Sequence, residues 1–278
     1  MKSILMIPAV ACILAGTLVS CSKTNTDTTA PGGLSESEGR MIVAAGFNGN
    51  WAEKRADGTF LIEGDISLTS DQLREMAGQA IMHELIFPTE EHYRTTNVVS
   101  TPASGQRTIT VRLGSGFPAH YSTGLDQALA RYNNLNLKIR FQRVTSGGNI
   151  VISAANLGTS GGGCILGQAS GFPSGGNPSS GFTLSNSSCA TSYLNTANRA
   201  DEVMAHEIGH CIGFRHTDYM NRSSCGQNAN EGSAGIGAVH ISGTPTTVSG
   251  SYNSWMMACT NNNPAFSASD GTALNYVY

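Results

Sequence analysis

Apolar and polar side chains follow two different periods along the middle of the chain. Strands are predicted where β-branched and polar residues alternate, and helices where apolar residues recur at helical spacing. This pattern predicts strands at 108–113, 137–144 and 149–154, and helices at 122–133 and 196–214. In the first helix the apolar stripe consists of Leu125, Ala128, Leu129 and Tyr132. The central chain is therefore a strand–helix–strand unit followed by another strand and a long helix.

The flanking regions have weaker patterns. A strand-like run at 62–68 precedes a helical pattern at 71–85, which indicates an N-terminal region packed on, or preceding, the main domain. Residues 160–188 are rich in Gly, Ser and Pro and indicate a loop, and residues 221–254 predict an irregular segment. Near the end, residues 269–270 offer capping side chains for a short closing helix.

The first residues indicate export. A positively charged start and a short apolar stretch, broken by Pro8, precede Leu18-Val19-Ser20-Cys21, which resembles a bacterial lipobox. We predict a lipoprotein signal peptide over 1–20 with lipidation of Cys21, and an ordinary cleaved signal is the alternative. Residues 21–40 are predicted to be a flexible tether. The expected protein is an exported bacterial lipoprotein of the cell envelope, on the periplasmic or cell-surface side of the outer membrane.

Composition restricts the partners. Charged residues make up 13% of the 278-residue chain, well below the usual level of about 25%, and the formal net charge is −3. No run of basic residues interleaved with aromatic residues is present. Nucleic acid is therefore not an expected partner, and the only expected membrane contact is the lipid anchor. We expect a monomer.

The segment 206–216 has the pattern H-E-x-x-H-x-x-G-x-x-H. His206 and His210 are four residues apart on a helix and can direct their imidazoles at one metal ion. Gly213 can adopt the left-handed conformation that ends the helix and returns His216 as third ligand. Glu207 lies beside this set and can act as general base. Three His ligands leave a position open, as in catalytic sites, whereas structural zinc sites usually have four protein ligands.

The long motif, followed downstream by Ser254-Trp255-Met256, resembles the metzincin clan of zinc endopeptidases, whose Met-turn places a methionine beneath the metal. More narrowly, the chain resembles the bacterial dual-action HEIGH metallopeptidases. The matching segments are His206-Glu207-Ile208-Gly209-His210, His216-Thr217-Asp218, residues 254–259 and residues 60–66. The resemblance implies an α+β fold, with a twisted mixed sheet, two main helices above the cleft, and an irregular lower subdomain with the Met-turn and a C-terminal helix.

The resemblance also assigns further residues. Met256 is the implied Met-turn methionine, although Trp255 replaces the small aliphatic residue usual before it. Ala258 stands where some clan members have a tyrosine ligand, so none is implied. Asp218, just beyond His216, is predicted either to accept a hydrogen bond from a ligand imidazole or to anchor the turn.

Domain boundaries follow from these assignments. We predict an N-terminal region over 41–100, a candidate pro-segment, and the metallopeptidase catalytic domain over 101–278. Residues 22–100 contain no cysteine. If this region inhibits the enzyme, an acid such as Asp65 or Glu63 must cap the metal.

Five cysteines remain after Cys21, and export permits disulfides. Cys211 lies on the apolar side of the metal helix and is interpreted as a buried free thiol. Cys164 with Cys189, and Cys225 with Cys259, are plausible pairs, although the sequence leaves the connectivity open.

The expected activity is that of a secreted zinc metalloendopeptidase of the EC 3.4.24 type. It needs one catalytic Zn²⁺ and acts on a protein or peptide substrate, with Glu207 as general base and later general acid. The alternative is a surface lipoprotein that binds a protein or glycan and keeps zinc as a structural element. Retention of Glu207 favours the enzyme, because a binding protein needs no proton acceptor there.

Overall fold

The computed structural model describes residues 31–79, 92–160, 162–232, 236–245, 253–260 and 265–278. The helices are α1 (Glu36–Ala44), α2 (Ser70–Gln79), α3 (Ala119–Asn133), α4 (Ser188–Tyr193), α5 (Ala197–Ile212) and α6 (Ala268–Val277). The strands are β1 (Ala52–Lys54), β2 (Phe60–Ile62), β3 (Ile66–Leu68), β4 (Tyr93–Arg94), β5 (Arg107–Leu113), β6 (Ile139–Val144), β7 (Ile150–Ala155), β8 (Thr159–Ser160), β9 (Gly163–Cys164), β10 (Gly167–Ala169), β11 (Gly181–Ser185) and β12 (Val239–His240). The predicted signal peptide and Cys21 lie outside the described residues.

One mixed sheet organises the fold. Its strand order is β1-β2-β3-β10-β11-β7-β5-β6. Strands β6, β5, β7 and β11 run parallel to one another, whereas β10 is antiparallel to β11. On its other side β10 pairs in parallel with β3 through Ile66 and Ala169. This mixed sheet with its helices confirms the predicted α+β class.

The main hydrophobic core lies between this sheet and the helices α3 and α5. Ile109 and Val111 of β5 are fully buried, as the alternating pattern predicts. The two helices cross closely, because Gly124 of α3 faces the backbone of α5, and the Tyr132 hydroxyl donates to the carbonyl of Ala205 at 2.7 Å. This core is built from residues 99–278. The helix α5, which carries His206 and His210, is therefore packed against both the sheet and α3.

A second, smaller core belongs mainly to the N-terminal region. Among the described residues, its buried members come from 34–73, together with Phe172 and Ile236 from later in the chain. The helices α1 and α2 and the strands β1–β3 are thus packed chiefly on one another. The strands β1–β3 are nevertheless part of the large sheet.

Two predicted elements differ from the structure. The strand-like run at 62–68 is a hairpin, β2 and β3, because Glu63 and Gly64 adopt left-handed backbone angles and turn the chain. The glycine-rich segment 160–188 contributes β9, β10 and β11 rather than a loop alone. These strands have too little side-chain alternation to be visible in the sequence. The helix predicted at 71–85 is observed as Ser70–Gln79, and its remainder lies outside the described residues.

The predicted tether also contains ordered structure in its second half. Leu34 is buried, and Ser35 caps α1 through a reciprocal capping box with Glu38. The same device begins α6, where the N-cap is Ser267 and Asp270 is its partner, rather than the predicted pair at 269–270. Within the described ranges, no helix has both the length and the apolar composition that crossing a bilayer requires.

The cysteine interpretation is confirmed. Cys164 pairs with Cys189, and Cys225 pairs with Cys259. Cys211 is a buried free thiol on α5. The second disulfide joins the loop after His216 to the loop after Met256 and so fixes the lower side of the cleft.

Candidate metal centre

The helix α5 positions the first two histidines. Thr196 caps its start, and Gly213, with a φ of 109°, ends it in the left-handed conformation. His206 and His210 lie one turn apart, with Nε2 atoms 3.1 Å apart. After Gly213, Phe214 forms an antiparallel bridge with Arg94 of β4. The centroid of the His216 ring then lies 4.9 Å from that of His210. The predicted motif therefore brings its three imidazoles together.

Each imidazole is held by its Nδ1 atom. Nδ1 of His206 donates to the carbonyl of Trp255 at 2.8 Å, and Nδ1 of His210 donates to the carbonyl of Phe214 at 2.9 Å. Nδ1 of His216 lies 2.7 Å from the Glu231 carboxylate. Because these acceptors fix the proton on Nδ1, the Nε2 lone pairs converge and are available to a metal ion.

Asp65 supplies a fourth donor atom, an oxygen, to the three imidazole nitrogens. Its Oδ2 lies 2.6 Å from Nε2 of His216, 3.2 Å from that of His206 and 3.4 Å from that of His210. The four donor atoms lie within 4.8 Å of one another. Imidazole nitrogen and carboxylate oxygen are ligands that zinc binds in tetrahedral sites, so the residues fit the ion. Asp65 comes from the turn between β2 and β3, in the N-terminal region.

The electrostatics of the donor set reflect burial and close charges. Burial lowers the pKa of His210 to about 4. Burial would also lower the pKa of His216, but the carboxylates of Asp65 and Glu231 raise it well above its usual range. For Asp65, His216 and His210 outweigh burial and hold its pKa well below its usual range. An ion in this site would compete with protons for the same atoms.

Glu207 lies beside the donor set and outside it. Its side chain is 2% exposed, and its Oε2 has no hydrogen-bond partner among the described residues. Burial raises the pKa of its carboxyl well above the usual range, and the charge of Asp65 adds to the rise. The carboxyl packs against Gly167 of β10, where a Cβ would stand 2.3 Å from Oε1. Only glycine leaves room for Glu207 at this position of β10.

Trp255 and Met256 lie under the imidazoles. The Trp255 carbonyl holds His206, and its indole donates to the Tyr132 hydroxyl at 2.9 Å. Met256 is 1% exposed, and its sulfur lies next to Gly209 of α5. The next residue is also a methionine, Met257, but it lines the cleft instead. The arrangement is that of a soft side chain packed beneath the site.

The carboxylate that holds His216 is Glu231, not Asp218. Asp218 accepts hydrogen bonds from Ser224, at both its main-chain and hydroxyl groups, and from the main chain of Ala258. Of the two predicted roles, it has that of anchoring the turn. Glu231 was not predicted because it lies in an irregular segment. The available signal was that Glu231 is the only acidic residue between Asp218 and Asp270.

A buried charge network extends from Glu231. Arg222 contacts its Oε1, and Arg215 lies 3.8 Å from its Oε2. Arg215 also pairs with the carboxylate of Glu63, while Arg222 donates to the Glu63 carbonyl at 2.8 Å. Burial raises the pKa of Glu63 to about 8 despite the nearby guanidinium of Arg215. The hairpin that carries Asp65 is thus bound to the metal site through a second acid.

Two members of the donor set, Asp65 and His206, lie at the wall of a cleft of about 600 Å³. Its lining comes from the N-terminal region, the β9–β10 segment, α5 and the loops around the second disulfide. Trp51 lies in the N-terminal region, Leu166 between β9 and β10, Val203 and Glu207 on α5, and Met257 near the second disulfide. A cleft of this size that combines apolar walls with polar and charged groups near the donor set has the character of a ligand site.

Comparisons with known proteins agree with this site. A family model described as dual-action HEIGH metallo-peptidase matches residues 60–278. No curated protein gives a significant match. Among solved structures, myroilysin has 18% identity and a TM-score of 0.37, over 64% of this chain and 86% of that chain. High choriolytic enzyme 1, a hatching enzyme zinc-protease from the medaka fish Oryzias latipes, has 18% identity and a TM-score of 0.37, over 65% of this chain and 93% of that chain. Because the family model covers well over half of the chain, including the motif and most of the cleft lining, the protein belongs to the dual-action HEIGH metallopeptidase family.

Proposed function

We propose that this metallopeptidase is a zinc-dependent endopeptidase whose single ion is held by His206, His210 and His216. One observation carries the proposal. Three Nε2 atoms converge beside the cleft that His206 lines, while each Nδ1 is bonded to an acceptor of its own. Such anchoring is what orients histidine ligands toward a metal ion.

Zinc, when bound, supplies a Lewis acid that polarises the peptide carbonyl and lowers the pKa of a water molecule. Glu207 accepts the proton of the attacking water and later donates it to the leaving amine. Its buried carboxyl, with one oxygen unpaired among the described residues, supports this role. The protein or peptide substrate occupies the cleft beside it.

A second candidate function is a surface lipoprotein that binds a protein or glycan and keeps zinc as a structural element. Asp65 favours this candidate, because three imidazoles and one carboxylate make the closed four-donor set typical of structural sites. Glu207 favours the peptidase, since a binding protein has no use for a buried carboxyl next to the metal. The first experiment below separates the two.

We expect purified protein to contain one zinc ion per chain and to hydrolyse a protein substrate. A chelator should abolish hydrolysis and added zinc should restore it, because the imidazoles hold the ion reversibly. His210→Ala should lose both zinc and hydrolysis, whereas His120→Ala, which removes a histidine bonded to the carbonyl of Leu194, should keep both. Elemental analysis and a casein assay measure the two quantities. Equal activity in the wild type and His210→Ala would exclude the proposed metal chemistry.

We also propose that the N-terminal region keeps the enzyme latent through Asp65. The hairpin pairs with β10 beside the site, where Ala169 donates its main-chain N–H to the carbonyl of Asp65 at 2.7 Å. The Asp65 carboxylate at the same time occupies the position facing the three Nε2 atoms. A substrate therefore reaches the imidazoles only in the fraction of molecules in which Asp65 is displaced.

A chain that begins at His92 is therefore expected to be more active than the full mature chain. This start removes the hairpin but keeps Thr95, whose main chain donates to the Gly213 carbonyl at 2.8 Å, a contact that a start at residue 101 would lose. Displacing a charge-assisted contact worth about 1.5–3 kcal/mol corresponds to a rise of about ten- to a hundredfold in kcat/KM. If the shorter chain is folded by circular dichroism and shows no gain, the N-terminal region is structural.

We further propose that the enzyme is a monomer anchored to the cell envelope by lipid on Cys21. Each buried methylene of an acyl chain contributes about 0.8 kcal/mol to membrane retention, so several chains hold the protein firmly. Cys21→Ser should move the protein from the membrane fraction to the soluble fraction, or leave it unprocessed, without changing the activity of the folded domain. Mass spectrometry of the mature N-terminus is the direct test. An unmodified residue other than Cys21 at that end would indicate an ordinary secreted enzyme.

A further inference from the structure

Glu63 occupies an unusual position for a glutamate. It lies in the turn between β2 and β3 with a φ of 56°, followed by Gly64 with a φ of 92°. Turns with two consecutive left-handed residues favour Asn, Asp or Gly at the first position. The Glu63 side chain is also 1% exposed. Turn geometry and burial both disfavour this residue, so contacts elsewhere must account for its presence.

Those contacts recognise both the backbone and the side chain of Glu63. Arg215 pairs with its carboxylate. Arg222 donates to its main-chain carbonyl at 2.8 Å, and the main-chain N–H of Glu63 donates to the carbonyl of Trp51 at 3.1 Å. Both arginines belong to the part of the chain that follows the metal helix. The turn is therefore held in a preformed site for an acidic residue.

The charges of this site require an anion. Among the described residues, Arg215 and Arg222 are both within contact of Glu231, at 3.8 Å in the case of Arg215. Without Glu63, two buried guanidinium groups would share that single carboxylate. Leaving a buried charge uncompensated is strongly unfavourable. When the hairpin leaves, another anion is needed in its place.

The site opens into the cleft of the metal centre. Arg222 and Gln227 line the same cavity as His206 and Glu207. Glu63 lies two residues from Asp65, whose carboxylate reaches the imidazoles. An acidic residue bound by the arginines would consequently lie within about two residues of the peptide bond presented to Glu207.

We propose that Arg215 and Arg222 form a subsite for an acidic residue, in which Arg215 binds the carboxylate and Arg222 the main-chain carbonyl; Glu63 fills it in the present structure, and an acidic residue of the polypeptide substrate fills it during hydrolysis. The part that concerns substrate rests on the proposed peptidase function. The subsite itself does not, because its chemistry can be measured without hydrolysis. The first experiment addresses the subsite and the second addresses the substrate.

The first experiment supplies the missing carboxylate from solution. Glu63→Gly in the full chain vacates the subsite and suits the left-handed backbone. Acetate should raise the melting temperature of this variant by a few degrees along a saturating curve, at ionic strength held constant with chloride. Acetamide, which has the same shape without charge, should not. Wild type and Glu53→Ala, which removes another cleft acid, should not respond to acetate. No response of Glu63→Gly would overturn the subsite.

A matched pair of variants gives the same answer without a cavity. Glu63→Asp and Glu63→Asn both tolerate a positive φ and differ only in charge. In the same buffer, the Asp variant should melt at a higher temperature than the Asn variant, because only Asp offers Arg215 a carboxylate. Equal melting temperatures would also overturn the subsite.

The second experiment reads substrate preference. Zinc-loaded full chain, intact and after limited trypsin digestion, is incubated with a peptide library, and the cut bonds are identified by mass spectrometry. Asp or Glu should exceed Asn or Gln by about tenfold or more at one position within two residues of the cut bond, as expected for a charge-assisted contact. Cleavage without this enrichment would overturn the substrate role. Absence of cleavage in both forms would overturn the peptidase proposal instead, and the melting data would decide the subsite.

Discussion

Replacing Glu207 by alanine is expected to lower hydrolysis by about 10²–10⁴-fold, the usual contribution of a general acid–base residue, while zinc remains bound. The reason is the geometry of the site. The converging donor atoms come from the three imidazoles and Asp65, and the Glu207 carboxyl lies outside that set. Its removal takes away the proton acceptor and leaves the ligands.

The informative comparison is with a ligand variant. His216→Ala should lose zinc affinity as well as hydrolysis, because it removes both a donor atom and the partner of Glu231. Zinc content by elemental analysis and kcat by a peptide assay separate the two roles. Loss of zinc from Glu207→Ala would instead make this carboxylate a ligand or a structural group.

Glu231→Gln is expected to weaken zinc binding by about 10–100-fold, the usual cost of losing the carboxylate behind a histidine ligand. Glu231 orients His216 through a 2.7 Å contact and is itself fixed by Arg222. The amide keeps the shape but removes the charge that favours the proton on Nδ1. Competition with a chromophoric chelator measures the affinity.

Asp218→Asn is the matched control for this prediction. Asp218 lies two residues from His216 but accepts its hydrogen bonds from Ser224 and Ala258. Its replacement should lower the melting temperature and leave zinc affinity nearly unchanged. Melting curves of the zinc-free proteins distinguish general destabilisation from loss of orientation. If Asp218→Asn weakens zinc binding more than Glu231→Gln, the assignment of the two acids is wrong.

Much of the site could be predicted because its geometry is local. His206 and His210 are related by one helical turn, and Gly213 needs only its own backbone freedom to return His216. The two principal helices were predicted for the same reason, since a helical stripe is visible within a short window. The free thiol of Cys211 followed from its position on the core side of α5, whereas the sequence left the pairing of the other four cysteines open.

The rest depends on distant parts of the chain. Asp65 was considered as a cap for the metal, but its contact with His206 spans 141 residues and no local pattern encodes it. Glu231 lies in a segment without periodicity. The strands β10 and β11 contain glycine where an alternating side chain would have revealed them, and Gly167 is required there by the bulk of Glu207. In each case a tertiary contact, not local propensity, determines the structure.

The parallel pairing of β3 with β10 has a consequence for solubility. While the hairpin is in place, the outer edge of the sheet is β1, and the main-chain N–H of Ala169 is satisfied by Asp65. Departure of the hairpin would make β10 the edge strand. The main-chain groups of β10 that face away from β11 would then have no partners. An open edge can pair with an extended substrate, but also with the edge of another molecule, the first step of aggregation. The shortness of β10, three residues, limits that risk. While β3 is paired with β10, this strand beside the metal site is covered and presents no edge to another molecule.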